Sequence, residues 1–351
     1  MKIQLGVIGF GGMGKWHAQN APRAGAKIAA VCDIMEEKQM EAMEMGYQMY
    51  KTADELLADP AVNTVVLTVP NHLHKEMCIK AAKAGKHVIT EKPAALSVQE
   101  LDEMEAACKS AGVFFTSHQN RRWDRDMLTV KKAYDEGLLG NIFTIESKLH
   151  SGNGYMHEWH LYKKYGGGMM YDWGVHLIDQ ILFMLPEAKI TSIYADIKSV
   201  LHEEVDDYFK IILKMDHGIT AHIELSTYIL DYQPRWLVAG DKGTMIVKSF
   251  GCDGNIYRTG KLLEKLPPQI TETEAGPTRQ FAPVPPGGIV TEPLPIIQTD
   301  WVDFYKNVDD VLNHRAESKI HISEVRRVLS VMEAAWESSS GKENKKGKGN
   351  L

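Results

Sequence analysis

A chain of 351 residues is longer than one hydrophobic core usually organises, so two domains are expected. Apolar residues make up 44 % and charged residues 25 %, the balance of a globular protein rather than of a disordered one. A formal net charge of -6 gives no reason to expect a nucleic-acid partner, and no apolar run is long enough to span a bilayer, so no membrane partner is expected and the cytoplasm is the expected location.

Residues 2–14, KIQLGVIGFGGMG, read as a buried strand running into a tight turn, with Gly9, Gly11 and Gly14 in G-x-G-x-x-G register. A short helix over 12–21 follows, stopped by Pro22, and then a second apolar strand over 27–32 that ends at Asp33. This is the pattern of a dinucleotide-binding turn. The first glycine permits the turn, the second lets the backbone approach a pyrophosphate, and the third lets the helix pack against the strand. The new helix offers unpaired N–H groups to the phosphates, and Asp33 is placed to accept from the adenosine ribose hydroxyls. A carboxylate there would repel a 2′-phosphate, so NAD is expected over NADP, with Lys38 nearby as a relaxing influence.

Helices are predicted over 34–45, from Thr52 with Glu55 three places on, over 72–84, and from the cap Ser97 to residue 110 with Glu100 three places on. Between them 64–69 (TVVLTV), 87–90 and 113–117 read as strands. The β-branched run at 64–69 suits a strand covered on both faces, hence a parallel sheet. Short joints and alternating strand and helix predict an α/β, doubly wound domain over about 1–120. The four cysteines, Cys32, Cys78, Cys108 and Cys252, form no C-x-x-C and read as free thiols of a reducing compartment.

The pattern then changes. Helices are predicted over 121–136 and 169–185, strands over 141–150, 190–200, 206–215, 219–226, 235–239 and 244–248, and a polar, aromatic, glycine-rich loop over 151–168. These predict a second, α+β domain over 121–340 around an open, largely antiparallel sheet. That sheet would leave an apolar face for a helix or a second subunit to cover. Residues 267–295 hold much of the proline and are expected as an irregular surface excursion; 297–312 and 323–338 are expected as closing helices, and 341–351 as a disordered basic tail.

Two further clusters carry chemistry. Glu91-Lys92-Pro93 follows the strand at 87–90, and in a doubly wound sheet ligands sit at the carboxyl ends of strands, which aims Lys92 at the cofactor crevice. Gly166-Gly167-Gly168 precedes Asp172 and His176, which are i,i+4 on one helix, with Asp179 extending the stripe in a structural role. The helix N-terminus opposes a charged imidazolium at His176 and Asp172 favours one, which leaves the balance open. His150, His157, His160 and His176 with Asp172 have no H-x-x-x-H spacing, so no metal is expected; His17 and His118 read as packing or hydrogen-bonding groups.

These residues resemble the glucose–fructose oxidoreductase and inositol dehydrogenase family, Gfo/Idh/MocA. The resemblance runs from Lys2 to about Ser338 and rests on Gly9-Phe10-Gly11-Gly12-Met13-Gly14, Thr68-Val69-Pro70-Asn71 with His74, Glu91-Lys92-Pro93, and the glycine triplet with Asp172, Gly174, His176 and Asp179. It implies that Lys92, Asp172 and His176 form a catalytic trio. The glycine turn, Asp33, Thr68, Pro70, Asn71, His74, Glu91, Lys92 and Gln119 would hold the dinucleotide. Arg122, Tyr155, His157 and Trp159 are expected at the substrate with the trio. Many such proteins oxidise or reduce one carbinol of a sugar, cyclitol or glycoside, some similar bacterial enzymes at the 3-hydroxyl of a glucoside, and most are dimers or tetramers joined through the second-domain sheet. Where many relatives carry Trp-Arg before the triplet, this chain has Trp159-His160, within an aromatic stretch suited to stacking on a pyranose or a flat aglycone. The alternatives are a glycoside hydrolase or lyase using NAD transiently through a 3-keto intermediate, and a non-enzymatic NAD sensor.

Overall fold

The computed structural model describes residues 2–260, 268–280, 284 and 286–341, and the tail expected beyond 341 lies outside them. In the first half, β1 (Gln4–Ile8), α1 (Gly12–Asn20), β2 (Lys27–Cys32), α2 (Glu36–Glu44), β3 (Met49–Tyr50), α3 (Ala53–Ala58), β4 (Thr64–Leu67), α4 (His74–Lys83), β5 (His87–Thr90), α5 (Val98–Ala111) and β6 (Phe115–Ser117) follow in order. The strands form one parallel sheet in the order β3-β2-β1-β4-β5-β6. β4 is buried along its whole length, as its β-branched run requires. The predicted caps hold: Thr52 and Glu55 form a reciprocal capping box on α3, and Ser97 accepts from the Glu100 amide on α5. The two-residue β3 is an addition to the predicted strands; it is too short to show an alternation.

The second half carries α6 (Arg125–Asp135), β7 (Ile142–His150), α7 (Val175–Met184), β8 (Ile190–Lys198), β9 (Tyr208–Met215), β10 (Thr220–Ser226), β11 (Trp236–Gly240), β12 (Gly243–Val247), β13 (Gly254–Thr259), β14 (Gln269–Thr273), β15 (Gly276–Gln280), β16 (Ile289–Pro293), α8 (Asp303–Leu312) and α9 (Ile322–Ser339). The second sheet runs β16-β13-β12-β11-β7-β10-β9-β8, antiparallel except where β10 pairs parallel with β7. The proline-rich stretch is more regular than predicted. β14 and β15 form an exposed hairpin, and β16 is the sheet's edge strand, the position where Pro293 is tolerated.

Of the two covers expected for the apolar face of the second sheet, a helix or a second subunit, the chain supplies helices. Phe209, Ile211 and Leu213 of β9 and Ala221, Ile223 and Leu225 of β10 are buried on the side where α7 packs against β10, and α9 packs on α7 and β8. The apolar face is therefore covered within the chain. The opposite face carries a row that alternates in charge across four neighbouring strands: Lys148, Glu224, Lys210 and Asp196, each opposite the next in register. Among the described residues no helix is long and apolar enough to cross a membrane.

Candidate active site

Two glycines of the turn after β1 are dictated by contact. Gly9 has a positive φ of 94°, and a Cβ there would lie 2.5 Å from the Thr68 carbonyl oxygen; a Cβ on Gly14 would lie 2.0 Å from the Gly9 oxygen. A side chain on Gly11 or Gly12 would meet nothing, so the backbone there faces open space, and the N-terminus of α1 has no side-chain cap. Open backbone at an uncapped helix start suits a pyrophosphate. Thr68 works from beneath: its Oγ1 lies 3.0 Å from the Ile8 carbonyl and 2.5 Å from that of Gly9. Asp33 accepts the Phe10 N–H at 2.6 Å through Oδ2 and the Met35 N–H at 2.8 Å through Oδ1, which fixes the carboxylate at the turn with lone pairs left for a ribose. Phe10, expected among the cofactor contacts, thus has its N–H engaged, and its ring is buried edge-on to Tyr47. Met13 is exposed on the first turn of α1.

Several residues expected to line the dinucleotide instead build the floor under Lys92. Glu91 is buried. Its Oε1 lies 2.8 Å from His17 Nε2 and 2.7 Å from His118 Nδ1, and its Oε2 accepts the Lys92 backbone N–H at 3.1 Å. Tyr305 of α8 closes the chain of contacts at 2.6 Å from His17 Nδ1. Burial alone would raise the Glu91 pKa, but the charge of His118 and hydrogen bonds from both imidazoles hold it well below the carboxylate range; burial drives His17 down to about 4. On the other side His74 is buried, with Nδ1 2.8 Å from the Pro93 carbonyl and Nε2 3.0 Å from that of Val69. Asn71 is buried too and donates to the Gly166 carbonyl at 2.8 Å, tying the first domain to the glycine triplet. Glu91, His74 and Asn71 are therefore committed to protein partners. Pro70 is half-buried beside Asn71. Gln119, just past β6, is buried with both amide atoms unpaired, as is His118 Nε2. Unpaired buried polar atoms of this kind are rare in folded proteins.

The helix bearing Asp172 does not start as a regular α-helix. Met170–Gly174 is a π turn, and α7 continues from it. Gly168 precedes it with φ of 100°, where a Cβ would lie 2.2 Å from Asp206 Oδ1. Asp206 Oδ2 accepts the Met170 N–H at 2.7 Å and so anchors the turn. Lys92 Nζ donates to Asp172 Oδ1 at 2.6 Å and to the Asp172 carbonyl at 2.8 Å, joining the two domains at the reacting groups. Burial would raise the Asp172 pKa, but the Lys92 charge outweighs it and holds it low. His176, one turn on, is 4 % exposed with Nδ1 unpaired. Burial, then the charges of Lys92 and Arg121, push its pKa well below the ordinary histidine value. The balance left open by the sequence thus falls to neutral imidazole, because burial and the nearby Lys92 and Arg121 charges all oppose the imidazolium.

Of the neighbouring arginines, Arg122 was expected at the substrate. It is 3 % exposed and holds Asp179 with two bonds of 2.6 and 2.8 Å, plus Glu324 at 3.0 Å. Arg121 faces the site instead, 4.3 Å from the Trp173 ring centre. A 3-10 turn over Asn120–Trp123 sends adjacent side chains to different sides, which sequence cannot order. Beyond Asp172 opens a cavity of about 470 Å³. Tyr155 and His157 line it; Trp159 does not, but stacks at 3.8 Å on His160, which does. Trp173, Met169 and the ends of β7 and β10 complete the wall and carry no local sequence signal. The loop histidines do not gather as a metal site would require. Among the described residues the His/Glu group with ligand-like spacing is His17, Glu91 and His118, and mutual hydrogen bonds account for it.

A dinucleotide-type parallel sheet, a glycine turn and a lysine–aspartate–histidine group at the domain junction define an oxidoreductase. Residues 3–119 match the family model described as oxidoreductase family, NAD-binding Rossmann fold, and 127–246 match the GFO/IDH/MocA C-terminal domain, so the chain belongs to the Gfo/Idh/MocA oxidoreductase family. It is 36 % identical to an NAD-binding protein from Listeria innocua, with a TM-score of 0.92 over 97 % of this chain and 98 % of that one. It is 30 % identical over 313 residues to an uncharacterised oxidoreductase of Schizosaccharomyces pombe, covering 83 % of each chain, and 29 % identical over 302 residues to a scyllo-inositol 2-dehydrogenase (NADP(+)) of Bacillus subtilis, covering 82 % of this chain and 80 % of the relative.

Proposed function

We propose that the protein is an NAD-dependent dehydrogenase acting on a secondary hydroxyl of a sugar, cyclitol or glycoside. The observation that carries this reading is the junction of Lys92 with Asp172 beside a buried, neutral His176, at the edge of a cavity large enough for a ring substrate. Bound NAD would accept the hydride from the carbinol carbon. The chain's own residues govern the proton and the oxygen. Neutral His176 takes the hydroxyl proton. Lys92 donates to the same oxygen, which stabilises alkoxide during oxidation and polarises a carbonyl in reduction. Asp172 holds the Lys92 side chain in place through its carboxylate and its carbonyl. Asp33, at the adenosine end, favours NAD over NADP through repulsion of a 2′-phosphate. The test is NADH formation followed by absorbance when protein and NAD meet inositols, free sugars and glycosides. Accumulating NADH with one of them, lost in Lys92→Ala, supports the reading. Tight NAD binding with no redox change across the panel overturns it.

A further inference from the structure

The turn that presents Asp172 is held from outside its own helix. A helix start leaves backbone N–H groups without intrahelical partners, and Met169, the residue before Met170–Gly174, supplies no side-chain acceptor for them. One residue takes two of these donors. Asp206 accepts the Met169 N–H at 2.9 Å through its carbonyl and the Met170 N–H at 2.7 Å through Oδ2. It is 4 % exposed and lies in the connection between β8 and β9. Its neighbour Asp207 ties that connection down, accepting the N–H groups of Val200, Leu201 and His202 at 2.6, 2.7 and 3.1 Å. The Asp207 N–H in turn donates to the Lys198 carbonyl of β8 at 3.1 Å, so the anchor is fixed to the sheet.

That anchor bears on Lys92. One bond from Lys92 Nζ goes to the Asp172 carboxylate, but the other goes to the Asp172 backbone carbonyl at 2.8 Å. A side chain can re-aim by changing rotamer, whereas a carbonyl moves only with its turn. Asp172 lies two residues past Met170, and its own N–H donates to the Gly168 carbonyl at 3.0 Å. The place of the ammonium therefore follows the place of the turn. His176 is held otherwise: α7 packs on β10 and α9, and Gly174 sits against the Phe209 ring of β9. Burial pushes the Asp206 pKa up to about 7 against the pull of the Met170 and Met169 N–H groups. Either protonation state leaves an oxygen for the Met170 N–H, so acceptance rather than charge is the feature that matters.

We propose that Asp206 is a positioning residue for Lys92: it holds the turn that carries Asp172, and through the Asp172 carbonyl it sets where the Lys92 side chain meets the substrate oxygen. The kinetic consequence rests on the dehydrogenase reading; the placement of Lys92 does not, and it is measurable without turnover. The experiment follows reductive methylation of Lys92 by peptide mass spectrometry in the full chain and in Asp206→Ala, Asp206→Asn and Asp172→Ala. Lys86, whose Nζ is held by the Asp59 and Val62 carbonyls in the first domain, serves as the internal control. Asp206→Ala should speed labelling of Lys92 several-fold, toward the rate in Asp172→Ala, with Lys86 unchanged. Asp206→Asn keeps an oxygen for the Met170 N–H and should label like wild type. If Asp206→Ala does not fold, Asp206→Ser, whose hydroxyl stops one bond short of that N–H, is read in the same way. In turnover Asp206→Ala should lower kcat by about tenfold or more through misplacement, with NAD affinity near wild type. Added to Asp172→Ala it should cost no further turnover, because both act through one group. Unchanged Lys92 labelling in Asp206→Ala, equal effects of Asn and Ala, or a full further loss in the double variant overturns the inference. Labelling that changes as expected while no variant, wild type included, forms NADH leaves the positioning role standing and removes the dehydrogenase reading instead.

Discussion

At the scale of single residues, the proposed chemistry rests on a buried His176 and a half-buried Lys92. In the proposed reaction His176 must be neutral to accept a proton, and Lys92 donates a hydrogen bond to the same oxygen. His176→Ala and Lys92→Ala are each expected to lower turnover by about 10²–10⁴-fold while leaving NAD affinity near wild type, read by steady-state kinetics beside cofactor titration. Near-wild-type turnover in His176→Ala would pass the base role to Lys92. The floor beneath them has its own pH signature. His17 falls from 6.5 to about 4 on folding because it is buried, so the unfolded chain binds more protons below pH 6.5. Its contribution is fully present above about 6.5 and is lost as pH falls toward 4. Glu91, held low, is lost in the same direction further down. At about pH 5 His17 alone removes roughly 2 kcal/mol, so denaturant midpoints should drop between about pH 7.5 and 5, and less so in His17→Gln. At this scale two separate motifs do come together, since Lys92 reaches Asp172 at 2.6 Å with His176 one helical turn on. The use of Glu91, His74 and Asn71 was not legible, because a polar residue beside a ligand site looks the same in sequence whether it faces the ligand or the loop beneath it.

At the scale of elements, period and caps carried the first sheet, since a strand buried on both faces is a continuous β-branched run. β3, with two residues, and β13 to β16, among glycines and prolines, show no comparable signal. The π turn before α7 was equally hidden, since its apolar residues fit an ordinary helical stripe. The arginine pair shows the same limit with an energetic consequence. Arg122 clamps Asp179 of α7 and Glu324 of α9, both bonds bridging separate elements. Arg122→Ala leaves the Asp179 charge buried without a partner and should cost about 3–5 kcal/mol. Arg121 lies over the Trp173 ring and donates to buried Asp124 at 3.2 Å, but Asp124 keeps the Trp301 N–H at 2.9 Å, so Arg121→Ala should cost less, about 1–2 kcal/mol. Instead it removes a charge that lowers the His176 pKa, so the acid limb of its kcat/KM profile should move to higher pH. Equal loss of stability in the two variants would contradict this division.

At the scale of the whole molecule, a homo-oligomer through the second sheet can be argued from charge. The sheet's apolar face needs no second subunit, because α7 and α9 cover it. The face left open carries Lys148, Glu224, Lys210 and Asp196 in one row across β7, β10, β9 and β8. Read forwards the row is positive, negative, positive, negative; read backwards it is negative, positive, negative, positive. A two-fold axis through the sheet face superposes the row on its own reverse and sets each charge against its opposite, which is the self-complementarity an isologous interface needs. The exposed Tyr194 ring, beside the row on β8, would add apolar area to such a contact. A dimer is therefore expected at micromolar protein by sedimentation. Because much of its attraction is ionic, it should weaken between about 0.05 and 1 M salt as the screening length shortens. Glu224→Lys alone puts like charges together and should favour monomer. Reversing all four charges restores an alternating row and should restore the dimer. A monomer at low salt, or a dimer indifferent to both salt and Glu224→Lys, would place the contact elsewhere on the molecule.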